Sequence, residues 1–521
     1  MTTALTAQSI IINKPLKDFS DVYDLSTPLN AGITISYFAV NGIENLWDDV
    51  SVSRYPEHQR KDTVSNRVVD KVVKDRLLND TIKEVLIYND SVACMITKIG
   101  NTNRYRIWNL VFKDGKWLNF GENGGGSTLD GWRKYFYTYA PNWQNELRRS
   151  DELKKISTDT LTFVNYVKQH GVEPKDFLLN ALAKYPLVIY GEVHYRKISW
   201  NLLSNILLDS RFSETVGTIF VEMPAYQQEE FDRFYASKDL DREILLDIMR
   251  SFQVGGWYDK GQYEFFVNVW KLNQTLPDNK QVRVVPVDEQ LPWKLVQTME
   301  DFKKTTENQI DRNTRMADVV EQTIKTKIDK RNCLFITGYG HAHKSHAPGS
   351  YSSAEGQEPA LTAGAQLVQR LSDKNVFIVL QHAPMMHNTR GAVALVRHGL
   401  FDAVFEIVGN KPVAFRLDGS PFGKEPFDAD FESCFDIRMG NYADNFDAYI
   451  FLQPLKDEDA NYILYDIWSD KFVDEVKRRL VFLNRDANWW FDIEGEVTKE
   501  KIIKSFKDEY EGKKRWSYWF E

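Results

Sequence analysis

The stretch YPLVIYGEVHYRK, residues 185–197, joins an apolar segment to two ionisable side chains. Its first part, Tyr185–Tyr190, is apolar almost throughout, as is typical of a strand that is buried on both faces. Glu192 and His194 follow, and residues two apart in an extended segment point to the same side. The stretch therefore predicts a strand that delivers a carboxylate and an imidazole into one cleft.

Four further apolar runs end in polar or ionisable residues in the same way. Helical patterns such as SWNLLSNILLDS and MADVVEQTIKTKIDK separate the runs, which predicts an α/β fold with a mostly parallel central sheet and helices on both faces. Ligands bind at the carboxyl ends of the strands in such sheets, so we expect the site there. The runs are GTIFVEMP with Glu222, VRVVPVDEQ with Asp288 and Glu289, CLFITGYGHAH with His341 and His343, and NVFIVLQH with His382.

Acids and imidazoles at successive strand ends favour water activation. An imidazole with a pKa of about 6.5 accepts a proton from water at neutral pH, and a carboxylate beside it orients the ring. Alternatively, Glu192, His194 and His341 hold a divalent metal with an open position for water. Serine chemistry is disfavoured because the chain has no GxSxG motif, and cysteine chemistry because Cys333 precedes its strand.

Some of these residues also have an ordinary structural interpretation. Asp288 is compatible with a helix N-cap ahead of LPWKLVQTM. His343, His346 and His382 are compatible with the site or with structural positions outside it. The recurrence of acids and imidazoles at the strand ends favours a site over isolated caps.

Length and composition limit the classes of function. A chain of 521 residues is too long for one ordinary core, so we expect two or three domains. A net charge of −8 disfavours a nucleic-acid partner, and no run of about 18 apolar residues predicts a membrane span. The three cysteines are far apart and lack CxxC spacing, which disfavours disulfides and structural zinc. We expect a small-molecule or peptide substrate, with the oligomeric state left open.

Three regions of the chain differ in pattern. Residues 1–150 predict a small α+β unit with a helix around 66–75, strands in IKEVLIYN, SVACMITKIG and RYRIWNLVFKDGKWLNFG, a hairpin at KDGKW and a loop at 121–127. Residues 151–460 predict the α/β catalytic domain. Residues 461–521 predict an aromatic-rich helical extension in which VTKEKIIKSFKDEY forms an amphipathic helix.

Two segments bear on location and substrate access. The N-terminus, MTTALTAQSIII, lacks the regions of a signal peptide, so a cytoplasmic protein is expected as written. ALTAQ resembles the end of a cleavage site, and a trimmed signal peptide would instead indicate a periplasmic or secreted protein. The Gly/Ser/Pro-rich loop 344–364 follows the His341 strand, and loops of this length are often lids or binding loops.

The motifs GEVH, VEMP, RNTRMAD and GYGHAH resemble, in this order and spacing, the erythromycin esterase, ChaN-like haem-binding and Tiki superfamily. That group has a Gly-Glu-x-His strand end, a glutamate one βα unit later, an arginine-containing helix and a Gly-x-x-His strand end. The resemblance covers residues 184–455, where GGWYDKGQYEFFVNVWKLNQ and FDAYIFL also match. The matching site residues are Glu192, His194, Glu222, Arg312 with Met316, and His341.

The resemblance implies a hydrolase in most branches of the group. The esterases use a His and Glu pair to activate water, Tiki proteins are metal-dependent peptidases, and ChaN-like proteins bind haem. Carried over, His194 is the water-activating base or a metal ligand, and Glu192 orients it or shares the metal. Glu222 and His341 complete the pocket, and Arg312 is a charge partner, with a structural salt bridge as its alternative.

The chain departs from the macrolide esterases directly beside the predicted base. Where those esterases continue with Thr-His-Gly, this chain has Val193-His194-Tyr195, followed by Arg196. Tyr195 is compatible with an oxyanion donor, with an iron ligand if the protein binds haem, or with a packed aromatic. The residues predicted to contact substrate are Tyr195, Arg196, Arg312, Tyr339 and His343.

The leading hypothesis is a hydrolase that cleaves an ester or amide bond with the Glu and His residues of GEVH, VEMP and GYGH. The alternatives are a haem- or iron-binding protein of the ChaN-like type and a catalytically inactive binding scaffold. A divalent metal is compatible with the first hypothesis and haem with the second.

Overall fold

A computed structural model of the chain shows one antiparallel and one mostly parallel sheet, together with many helices. The structure describes residues 8–41, 47–51, 71–100, 102, 104–126, 128–137, 140–141, 143, 159–346, 360–383, 385–387, 392–427 and 440–515. No helix in these ranges is long and apolar enough to cross a membrane.

The strands are β1 Gln8–Pro15, β2 Thr81–Asn89, β3 Val92–Lys98, β4 Tyr105–Lys113, β5 Lys116–Gly126, β6 Leu187–Glu192, β7 Val216–Pro224, β8 Arg283–Asp288, β9 Asn332–Gly338, β10 Val376–Gln381, β11 Met385–His387, β12 Ala392–Ala394, β13 Val413–Arg416 and β14 Ala448–Phe451.

The α-helices are α1 Pro28–Asn41, α2 Trp47–Val50, α3 Lys71–Leu78, α4 129–137, α5 Thr160–His170, α6 Pro174–Lys184, α7 Lys197–Leu207, α8 Ser210–Thr215, α9 Gln228–Ala236, α10 Arg242–Arg250, α11 Lys260–Asn273, α12 Met299–Glu307, α13 Arg312–Thr326, α14 Tyr339–Ala342, α15 Ala363–Leu371, α16 Leu400–Ile407, α17 Pro421–Lys424, α18 Tyr442–Asn445, α19 Asp470–Phe482, α20 Ala487–Phe491 and α21 Lys499–Tyr510.

The first sheet is an antiparallel meander in the order β1-β2-β3-β4-β5. The predicted hairpin at KDGKW is confirmed: Asp114 and Gly115 both have positive φ, as a two-residue hairpin turn requires. The predicted loop at 121–127 is wrong, because β5 stays paired with β4 as far as Gly126. Of the predicted helix 66–75, residues 71–75 belong to α3 and the rest lie outside the described residues.

The second sheet has the order β13-β14-β10-β6-β9-β7-β8, and every pair is parallel except β13 with β14. The α/β prediction is therefore confirmed. Along β6, Val188 and Tyr190 pack into one hydrophobic cluster, while Leu187 and Ile189 pack into another on the opposite face. Burial on both faces explains why this strand is apolar until its last residue.

The C-terminal helices pack against the face of the sheet that carries Val188 and Tyr190. Phe472 and Leu480 of α19 and Ile502 of α21 belong to that same cluster. The predicted amphipathic helix VTKEKIIKSFKDEY is confirmed as α21, which Thr498 caps by accepting a hydrogen bond from Lys501 N. The domain boundaries predicted from the sequence stay predictions.

Candidate active site

Glu192 and His194 form a hydrogen-bonded pair at the carboxyl end of β6. Nδ1 of His194 contacts Oε1 of Glu192, and an ionised carboxylate only accepts, so Nδ1 carries the proton. Burial opposes the charged form of His194, but Glu192 and further carboxylates outweigh burial and raise its pKa to about 9. His194 is therefore an imidazolium at neutral pH. Glu192 is buried, and its Oε2 has no hydrogen-bond partner among the described residues.

Gly338, the last residue of β9, lies against the imidazole of His194. A Cβ atom at Gly338 would be 2.9 Å from Cε1 and 3.1 Å from Nε2 of His194. The same Cβ would be 3.5 Å from Oε2 of Glu222. The absence of a side chain at this position therefore leaves room for both the His194 imidazole and the Glu222 carboxylate beside the end of β9.

Glu222, near the end of β7, is a buried carboxylate that accepts several hydrogen bonds. Its Oε2 accepts from Thr337 Oγ1 at 2.9 Å and from Gly338 N at 2.8 Å. Burial raises the pKa of Glu222, but the charges of His341, His194 and Arg312 outweigh burial and lower it to about 2. Glu222 therefore stays ionised at neutral pH.

Arg312, the first residue of α13, joins the ends of β7 and β8. Its Nη2 donates to Oε1 of Glu222 at 2.8 Å, while Nε and Nη2 donate to the two oxygens of Asp288, each at 2.8 Å. Burial raises the pKa of Asp288 to about 6, against the opposing charge of Arg312. Asp288 also accepts from Gln290 and does not cap the segment that follows it, so the structure favours a charge partner over an N-cap.

His341 lies in α14, directly after β9, and its tautomer follows from its neighbours. Its Nδ1 is 2.8 Å from Oδ1 of Asn313, and that oxygen also accepts from Ala363 N at 3.0 Å. Since a backbone N–H only donates, Oδ1 is the atom that faces both groups, and Nδ1 of His341 must donate. Nε2 then carries the lone pair, 3.5 Å from Oε1 of Glu222. Burial lowers the pKa of His341 to about 4, so the ring is neutral at neutral pH.

Two residues that contact the site, Asn313 and Asp259, were not among those predicted from the sequence. Asp259 is fully buried and caps α11 through Gly261 N, while its Oδ2 accepts from Tyr195 N and Trp200 Nε1, each at 2.9 Å. Burial raises its pKa to about 6, with a contribution from the charge of Glu192. An Asp ahead of a helix predicts an N-cap, but nothing in that pattern points to the site. Asn313 stands next to Arg312 in RNTRMAD, which was the available signal.

Two predicted substrate-binding residues lie in packed surroundings. Arg196 is buried in a bidentate ion pair with Glu458 and donates to His382 O at 2.8 Å. The ring of Tyr195 packs against Trp257 and Tyr258, each with a centroid distance of 5.0 Å. These contacts favour the packed-aromatic interpretation of Tyr195. Among the other predicted substrate contacts, Tyr339 begins α14 and is half-buried.

The remaining histidines of the prediction lie in structural positions. His343 is fully buried near Phe427 and Phe446, and burial lowers its pKa to about 3. His382 is buried with Nδ1 2.9 Å from the hydroxyl of Tyr449. His346 pairs with Leu361 in an isolated bridge. Most of the predicted binding loop 344–364, residues 347–359, lies outside the described residues.

The site does not fit a bound metal. In the part of the chain that the structure describes, no group of three or more His, Cys, Asp and Glu side chains is arranged to hold a metal ion. The guanidinium of Arg312 already pairs with the carboxylates of β7 and β8, and a second cation beside it would be repelled. The predicted metal set of Glu192, His194 and His341 therefore does not fit.

Haem ligation through Tyr195 does not fit either. The phenol ring is stacked on Tyr258, and burial raises the pKa of Tyr195 well above its usual value. An iron ligand would need an accessible phenolate.

No protein-family model matches the chain, and no curated protein sequence matches it. Solved structures do show a similar fold. A Bacillus cereus protein is 11% identical over 57% of this chain and 98% of its own, with a TM-score of 0.37. A mutant of the erythromycin esterase EreC in its open conformation is 10% identical over 53% of this chain and 92% of its own, with a TM-score of 0.34. Haem-bound ChaN of Campylobacter jejuni is 14% identical over 40% of this chain and 86% of its own, with a TM-score of 0.26.

Proposed function

We propose that the protein is a metal-independent hydrolase that cleaves an ester or amide bond by general acid–base catalysis. One observation carries the proposal: two imidazoles, His194 and His341, lie beside the Glu222 carboxylate and are held in opposite protonation states. Titratable groups whose surroundings push their pKa values apart are typical of an acid and a base in one site.

His341 is the base in this mechanism. Its Nδ1 proton is committed to Asn313, so Nε2 accepts a proton from water while the water oxygen attacks the carbonyl carbon. The ionised Glu222, 3.5 Å away, stabilises the imidazolium that forms. This assignment differs from the sequence-based expectation, in which His194 was the base.

His194 is the acid. At neutral pH it carries protons on both ring nitrogens, and Glu192 holds Nδ1. Nε2 donates its proton to the leaving oxygen or nitrogen as the bond to the carbonyl carbon breaks. The products are a carboxylic acid and an alcohol or amine. His341 then releases its proton to solvent and His194 takes one up, which completes the cycle.

Arg312 supplies the remaining electrostatic component. Its Nε and Nη2 are bonded to the carboxylates of β7 and β8, and its side chain is still 37% exposed. The remaining amino group is suited to donate to the oxyanion that develops on the carbonyl oxygen. This role agrees with its predicted contact with substrate.

Hydrolysis of ethyl acetate, followed by release of ethanol, tests the proposal, since this ester is small and its alkoxide leaving group needs a proton from an acid. His194→Ala and His341→Ala should each lower kcat by about 100-fold or more, as loss of a general acid or base does. His170→Ala is the matched control, because His170 is an exposed residue at the end of α5. Wild-type protein without hydrolysis above buffer, or site variants with unchanged kcat, would contradict the proposal.

A further inference from the structure

The elbow, residues 194–196, has a backbone conformation that its own sequence disfavours. Tyr195 has φ of +64°, in the left-handed region that residues with a side chain rarely adopt. Such a conformation persists only when the surrounding structure holds it, and it is common at functional sites. His194, the proposed acid, is the first residue of this elbow.

The C-terminal segment contacts all three residues of the elbow. We call residues 455–515 the C-terminal clamp. Arg515 Nη2 donates to His194 O at 2.9 Å, Tyr462 N donates to Tyr195 O at 3.3 Å, and Glu458 forms the buried ion pair with Arg196.

The clamp also contacts the segment around Asp259, the residue that accepts a hydrogen bond from the backbone of the elbow. Tyr195 N donates to Asp259, and the segment around Asp259 pairs with the clamp. The pairing consists of the bridge Asp259–Ile463, the bond from Lys260 N to Tyr462 O at 2.9 Å and the bond from Leu464 N to Tyr258 O at 2.8 Å.

Arg515 itself is placed by pairing within the clamp. Its backbone N donates to Glu458 O at 2.9 Å, and Ala460 N donates to Lys513 O at 2.9 Å. Nη2 of its guanidinium donates to the carbonyl of His194. The end of the described chain therefore touches the backbone of the proposed acid.

We propose that the C-terminal clamp holds the elbow in its left-handed conformation and that Arg515 is a positioning residue for His194. The kinetic part of this inference rests on the proposed function, while the structural part does not. Without the Arg515 contact, the His194 carbonyl loses its donor and the imidazole is no longer held against Gly338.

The experiment compares Arg515→Gln and Arg515→Lys with Arg478→Gln in the full chain. Arg478 is a matched control because it also lies in the clamp and donates to a backbone carbonyl, that of Trp293 at 3.1 Å, but it does not contact the elbow. The proteins are labelled with ¹³C at Cε1 of histidine, and their NMR spectra then contain signals from nine histidines. The signal that is lost in His194→Ala is assigned to His194. Turnover of ethyl acetate, whose leaving group needs a proton, and Tm are measured on the same proteins.

We expect Arg515→Gln to move the His194 signal and to lower kcat about tenfold with little change in KM, as loss of one charge-assisted hydrogen bond does. Arg515→Lys keeps a cationic donor, so its His194 signal and its kcat should both lie closer to those of the wild type. Arg478→Gln should change Tm alone. An unmoved His194 signal in Arg515→Gln, or an equal shift in Arg478→Gln, would overturn the inference. If the His194 signal moves in Arg515→Gln but the wild type hydrolyses no ester, the proposed function is rejected and the structural role of the C-terminal clamp is retained.

Discussion

Nε2 of His341 lies 3.5 Å from Oε1 of Glu222, and the same oxygen accepts a hydrogen bond from Arg312. The carboxylate is therefore shared between a neutral imidazole and a guanidinium. On the side of Gly338 it comes close to His194, whose pKa is raised. One buried carboxylate thus connects the proposed base, the proposed acid and the cation that neutralises the site.

The pH profile of hydrolysis should separate the acid from the base. We expect kcat/KM to rise through pH of about 4, as His341 loses its proton, and to fall through about 9, as His194 loses its own. If His194 were instead the base, activity would keep rising toward pH 9. Initial rates of ethyl acetate hydrolysis across this range distinguish the two assignments, because the alkoxide leaving group needs the proton of His194.

Glu192→Gln should move the alkaline limb of that profile. The charge of Glu192 opposes burial and raises the pKa of His194, so its removal lowers that pKa and shifts the alkaline limb to lower pH. Glu229→Gln is the control, since Glu229 is exposed on α9. An alkaline limb at the same pH in wild type and Glu192→Gln would show that His194 is not the titrating group.

Gly338→Ala should lower the proposed hydrolytic activity with little loss of stability. The new methyl group would be 2.9 Å from Cε1 of His194, closer than such contacts occur, so the imidazole must move. We expect a loss of about tenfold or more in kcat/KM, since misplacing a catalytic group by about 1 Å costs up to about 100-fold. Gly255→Ala, whose Cβ would meet its nearest neighbour at 3.8 Å, should be active. Full activity of Gly338→Ala would place His194 outside the chemistry.

Arg312→Met should destabilise the protein because Glu222 and Asp288 lose their cation. Breaking a buried pair costs about 3–5 kcal/mol, which we reduce to about 2–3 kcal/mol because Arg312 is 37% exposed. Loss of the guanidinium raises the folded-state pKa values of both carboxylates relative to the wild type, so the folded variant binds more protons than the folded wild type and its defect is smaller at pH 5 than at pH 8. Urea unfolding at both pH values tests this sign. A defect of equal size at both would contradict it.

Removal of metal should leave hydrolysis unchanged. Glu222 and Asp288 are already paired with Arg312, and Glu192 is paired with His194. Elemental analysis of wild type beside His194→Ala, with rates before and after dialysis against EDTA, measures this directly. A near-stoichiometric metal that is lost in His194→Ala would refute the metal-independent mechanism, and a Soret band on haem addition would favour haem binding.

Asp259→Asn should destabilise the protein and remove part of its pH dependence. An amide cannot accept all four hydrogen bonds at this position, and each donor left unpaired costs about 1–3 kcal/mol. In the wild type, Asp259 has its pKa raised from 3.8 to about 6, so its contribution to stability falls as pH rises through this window. Thermal unfolding from pH 4 to 7 should show a flatter curve in the variant. Asp241→Asn, at the exposed N-cap of α10, should show neither effect.

The α/β fold could be predicted from the sequence alone. So could the strand ends that are followed by the ionisable residues Glu192, His194, Glu222 and His341. Strands buried on both faces must be apolar along their length, so an ionisable residue at the end of one is visible in the sequence. Parallel strands place their carboxyl ends at one edge, so the topology alone brings these side chains together. The hairpin at KDGKW was determined in the same local way, by residues that favour positive φ.

The partners of these residues and their protonation states could not be predicted from the sequence, because both depend on contacts that form on folding. Asn313 fixes His341, and Asp259 and Arg515 hold the segment around His194, through contacts between residues as many as 321 positions apart. Arg196, which the sequence placed in contact with substrate, is buried in an ion pair with Glu458. A pKa depends on burial and on charges that folding brings close, so the imidazole of His194 is protonated at neutral pH while that of His341 is neutral.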